Sequence, residues 1–110
     1  MERCVGIEKF SLGDVRFAVS ARSRLRGLLR ARPSDPGLVL VPCRDVHTFG
    51  MHAPIDIAFI GSNGRVLDAY RSIGSGKRIR SPGASFVVER FSKPNEPWFQ
   101  PGDEVTLAVR

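Results

Sequence analysis

With 110 residues, 17 Lys and Arg against 11 Asp and Glu, and a net charge of +6, the chain has room for one domain with one modest core. No apolar run approaches the ~20 residues that cross a bilayer, so a membrane span is excluded. Two cysteines, Cys4 and Cys43, with no second pair argue against a disulfide scaffold and a zinc knuckle alike.

Charges scattered through Met1 to Phe10 interrupt any secretory apolar region. A cytoplasmic location is therefore expected for the chain as it stands, although a leader trimmed from the gene product would leave the same sequence. The basic excess favours anionic partners in principle, and it equally serves plain solubility.

Phe10 and Leu12 fit a first strand and Val15 to Val19 a second, with Gly13-Asp14 as the turn of a hairpin. Ser20 can cap a helix, because Ala21, Leu25, Leu28 and Leu29 recur at helical spacing. Arg22, Arg26 and Arg30 form a separate basic stripe on it, and Pro33 ends it by biasing Arg32 away from helical angles. Ser34-Asp35-Pro36-Gly37 reads as a turn, and Leu38-Val39-Leu40-Val41 is an apolar run short enough for a buried strand closed by Pro42.

Residues 55–60 and 65–70 are apolar runs separated by Gly61-Ser62-Asn63-Gly64, which predicts an antiparallel hairpin. Arg71 to Ala84, rich in Gly and Ser and carrying Lys77, Arg78 and Arg80, reads as a mobile loop. Ser85 to Phe91 returns to a strand, Lys93 to Pro97 connects, and Glu104 to Val109 closes the chain. The expected fold is mostly β with one helix in the N-terminal half. About six or seven strands would form a compact, largely antiparallel barrel or sandwich spanning 1–110 as a single domain.

The unusual chemistry concentrates in Val46-His47-Thr48-Phe49-Gly50-Met51-His52-Ala53-Pro54-Ile55-Asp56. Asp56 shares a strand face with Ala58 and Ile60, so its carboxylate should be buried and paired, with Arg26, Thr48 and His47 as candidate partners. A structural tie is one reading of it, and the polar floor of a ligand pocket with His47 as an acid–base partner is the other.

His47 and His52 invite a metal reading with Asp45 or Asp56. Yet their odd spacing puts them on opposite faces of a continuous strand unless Gly50 or Pro54 breaks it, and no metal is expected. Cys43 lacks a nucleophile's flanking motif, and Gly74-Ser75-Gly76-Lys77 lacks the upstream glycine and downstream hydroxyl of a phosphate loop.

Four ordered pieces carry a resemblance: Arg26-Gly27-Leu28-Leu29; Gly37-Leu38-Val39-Leu40; Pro54-Ile55-Asp56-Ile57-Ala58-Phe59-Ile60 followed by Gly64-Arg65-Val66; and Val87-Val88-Glu89 with Gly102-Asp103-Glu104-Val105. In their order and spacing, over about residues 20 to 110, the chain resembles the bacterial and archaeal DUF192 or UPF0127 family of small uncharacterised proteins. Many members place Trp-Met and a polar pair before the Pro-Leu/Ile-Asp step. This chain, with His47-Thr48-Phe49-Gly50-Met51-His52, looks like the branch with a His-Thr-x-Gly-Met signature. The resemblance implies a small β-rich fold and no established activity.

The function expected is non-enzymatic binding of a protein or small-molecule partner at a cleft formed by residues 47 to 56, the helix start and residues 74 to 83. Its ligand-binding candidates are His47, Thr48, Met51, Asp56 and Arg26. No catalytic residue and no cofactor is assigned, and a monomer is expected. The alternatives are a metal-assisted or acid–base hydrolase using His47 and Asp56, and weak anion or nucleic-acid binding through arginines. Nucleic acid is disfavoured because the aromatics mostly occupy apolar strand positions.

Overall fold

A computed structural model of the chain describes residues 3–7, 10–18 and 36–109. Among these residues ten strands form: β1 (Arg3–Ile7), β2 (Phe10–Asp14), β3 (Arg16–Ala18), β4 (Leu38–Leu40), β5 (Asp45–His47), β6 (Ile55–Ile60), β7 (Val66–Ile73), β8 (Arg78–Arg80), β9 (Phe86–Phe91) and β10 (Thr106–Val109). They make three sheets in the orders β10-β1-β2, β3-β4-β9-β6-β7 and β5-β8. The mostly β expectation holds, but among the described residues no barrel closes and no helix is found. The helix expected from Ser20, together with Arg26, lies outside the described residues.

The sheet of five strands is the frame. Its β6 is buried along its whole length because its side chains alternate into two core clusters. Ile55, Ile57 and Phe59 pack with Leu38, Leu40, Val87 and Phe91, while Ala58 and Ile60 pack with Val39, Val66, Val88, Trp98 and Phe99. A strand buried on both faces reads as a continuous apolar run, which is why Asp56 stands out within it.

The hairpin predicted at residues 55–70 is present: β6 and β7 pair antiparallel with Ile57 opposite Tyr70 and Ala58 opposite Ala69. Gly64 adopts φ 82°, and Asn63 contributes through its side chain, whose Oδ1 accepts from the Arg65 amide at 3.1 Å.

Two expectations are corrected. The hairpin placed around Gly13-Asp14 does not form, because β2 runs through Asp14 and pairs with β1, whereas β3 joins the other sheet parallel to β4. Val15 is the corner between them, its side chain buried in the second cluster. Residues 71–84 are likewise not one loop. β7 continues to Ile73, and β8 pairs with β5 in the register Asp45 to Arg80, Val46 to Ile79 and His47 to Arg78. Strands of three residues are too short for a period to show, and their partners come from distant sequence.

Candidate functional site

The ribbon of β5 and β8 is amphipathic by alternation. Val46 and Ile79 face the core, and Asp45, His47, Arg78 and Arg80 occupy the outer face. Arg78 grips Asp45 through both forks, Nε to the two carboxylate oxygens at 3.2 and 3.1 Å and Nη2 to Oδ2 at 2.6 Å. That hydrogen-bonded guanidinium holds the Asp45 carboxyl below the usual carboxylate range. His47 Nε2 and Arg80 Nε stand further from the same carboxylate, at 3.8 and 3.7 Å.

Beyond the ribbon, Thr48 clasps the segment from Gly74 to Lys77. Its hydroxyl donates to the Gly74 carbonyl at 2.7 Å and accepts from the Lys77 amide at 2.8 Å. Its own amide donates to the Lys77 carbonyl at 2.9 Å, and its carbonyl accepts from the Ser75 hydroxyl at 3.2 Å. Thr48 is fully buried, so these bonds replace water rather than compete with it.

The chain then turns through Gly50 at φ 81°. That turn leaves Phe49 58 % exposed beside the His47 ring, at 5.8 Å between centroids. His52 is also exposed, its ring 5.3 Å from that of Phe91. Gly50 thus breaks the strand alternation between the two histidines.

Asp56 belongs to a different construction. Its carboxylate is 0 % exposed and lies directly across the ladder from Arg90, itself 2 % exposed. Arg90 Nε donates to Oδ2 at 2.9 Å, and the Ser72 amide donates to Oδ1 at 2.9 Å. Ser72 sits at φ 55°, where β7 has two residues, Arg71 and Ser72, opposite Asp56. The carboxylate therefore fills the ladder position that this bulge opens.

Arg90 also donates to the Pro97 carbonyl at 3.0 Å and lies 4.6 Å from the centre of the Trp98 ring. The indole nitrogen in turn donates to the Ile57 carbonyl at 3.1 Å. Arg71 reaches the Lys93 and Glu96 carbonyls at 2.9 and 2.6 Å. Together these contacts tie residues 92–99 across the sheet.

Among the sequence-predicted residues, then, His47 and Thr48 share one segment with the 74–77 turn, and Met51 is buried in the first core cluster behind them. Asp56 pairs with neither of them, and Arg26 lies outside the described residues. No three His, Cys, Asp or Glu side chains converge on a common point among the described residues.

Sequence reasoning gave no role to Arg90, Glu89 or Phe49. The signal for the first two was present, since adjacent charges inside the apolar run 86–91 require burial of at least one of them. Glu89 lies on the face of Val87 and Phe91, between Leu38 and Ile57 in register, and burial pushes its pKa up to about 7.

The fold has solved counterparts. A crystal structure of a protein of unknown function from Novosphingobium aromaticivorans DSM 12444 superposes with a TM-score of 0.75 at 18 % identity, covering 96 % of this chain and 84 % of that one. Another, described as a "putative transcription regulator" from Sinorhizobium meliloti 1021, gives 0.74 at 23 % identity and covers 96 % and 92 %. At these identities the likeness is one of fold. No curated protein matches the chain. The family model described as DUF192, "Uncharacterized ACR", matches residues 6–106, so the chain belongs to the DUF192 family.

Proposed function

We propose that the chain is a binding domain without catalytic chemistry, and that it meets a protein or small-molecule partner at the surface made by residues 47–53 and 74–78. The observation that carries this reading is the exposed Phe49 on a turn held by buried polar contacts. An apolar side chain presented on a preorganised loop loses little conformational freedom on binding, which is how aromatic anchors contribute to recognition. His47 stands beside it and Lys77 is exposed on the segment that Thr48 holds, so the fitting partner presents an apolar group beside acceptors or negative charge.

The test uses a metabolite library and a cell extract, each offered to the wild type and to the double variant H47A/F49A. Both side chains are exposed, so the variant should keep its melting temperature. Species retained by the wild type and lost from the variant support the proposal, and equal retention by both refutes it.

A further inference from the structure

A second opening lies beside that surface, at the other end of the ribbon. A cleft of about 410 Å³ is lined by Pro42, Cys43, Arg44, Asp45, Arg80 and Pro82. Its walls are fixed by backbone pairing: the Ser81 amide donates to the Arg44 carbonyl at 2.9 Å, the Cys43 amide donates to the Ser85 carbonyl at 3.2 Å, and Asp45 lies opposite Arg80 in the ladder. The two prolines supply rigid apolar edges, so the recognition chemistry falls to the charged side chains between them.

Those charges are unevenly committed. Asp45 is engaged by Arg78 in the bidentate contact described above. Arg80 touches that carboxylate only through Nε at 3.7 Å, and the Arg44 side chain has no ion pair among the described residues. With Arg78 balancing Asp45, two exposed arginines line one cleft on a hydrogen-bonded frame. Two planar forks match the several oxygens of a phosphate group better than the two of a single carboxylate.

We infer that this cleft is a binding site for a small molecule bearing a phosphate group, held by Arg44 and Arg80. It is independent of the partner surface at Phe49. The Cys43 thiol lies in the wall, donating to the Asp45 carbonyl at 3.3 Å, and so reports occupancy.

The experiment measures alkylation of Cys43 peptide by peptide in the full chain at low salt, with an added small-molecule thiol as the internal reference and inorganic phosphate as the probe. Phosphate at about ten times its Kd should slow Cys43 alkylation about tenfold by mass action, with the reference thiol unchanged. The double variant R44Q/R80Q, shown to be folded by circular dichroism, should lose that protection, and R80K should keep only part of it.

Chloride at matched ionic strength should protect little. Equal protection by chloride or acetate would overturn the assignment, as would protection that survives in R44Q/R80Q, or none at all in the wild type. Duplex DNA protecting at far lower phosphate concentration than the inorganic ion would replace the small ligand with nucleic acid.

Discussion

Replacing Asp56 with Asn tests whether the buried carboxylate is a structural tie. The wild-type carboxylate accepts from Arg90 and from the Ser72 amide, with no exposure to water. Asn keeps one acceptor and can satisfy only one of these donors, while its own amide group is turned toward the other. Removing one charge of a buried pair costs about 3–5 kcal/mol, because the remaining charge is left uncompensated.

Arg90 retains the Pro97 carbonyl and the Trp98 ring, and Glu96 stands 3.8 Å away, so the loss belongs near the lower end, about 3 kcal/mol. Urea unfolding followed by Trp98 fluorescence measures it directly, since Trp98 is the single tryptophan and stacks on Arg90. The double variant D56L/R90M removes both charges and should recover much of the loss, which separates the pair from a general defect of packing. A D56N variant within about 0.5 kcal/mol of wild type would behave like a surface change and refute the reasoning.

Thr48→Val removes the hydroxyl and leaves the Gly74 carbonyl and the Lys77 amide short of partners; it should cost about 2 kcal/mol and speed hydrogen exchange at Gly76 and Lys77 well before the central strands. Unchanged exchange there would show that the clasp does not set the loop. For Glu89, burial raises the pKa from 4.5 to about 7, so between these values the folded chain binds a proton that the unfolded chain has released. Stability should therefore fall as pH rises through that window and level off above it, by about 3 kcal/mol in all. Glu89→Gln should abolish the decline, making the variant the more stable of the two at pH 8 and close to wild type at pH 4; parallel pH profiles would contradict this.

Much of the frame was legible because it rests on local pattern. The apolar run Ile55 to Ile60 and the Asn63-Gly64 step specify the hairpin within a single stretch of chain, and the shared face of Asp56, Ala58 and Ile60 follows from the period of a strand. Its partner was not legible, since Arg90 is 34 residues away and the cross-strand register that brings it opposite Asp56 is a property of the assembled sheet. The β5–β8 ribbon escaped notice for the same reason. Three residues carry no measurable period, and Gly-rich flanks look like a loop whether or not a distant strand pairs with the segment between them.

Two segments without long ladders, residues 74–77 and 92–99, are each shaped by a buried polar side chain, with opposite results. The Asp56–Arg90 pair draws in residues 92–99 so that Trp98 and Phe99 become core, and the contact is accounted for by the apolar surface it buries. The Thr48 clasp has a different result. The residues it holds, Gly74 to Lys77, are exposed, and the next residue in its own segment, Phe49, points into solvent. A buried hydroxyl that fixes a loop while leaving an aromatic outside stabilises the shape of a surface rather than the amount of core, and a fixed surface shape with an uncovered apolar group is what a partner requires.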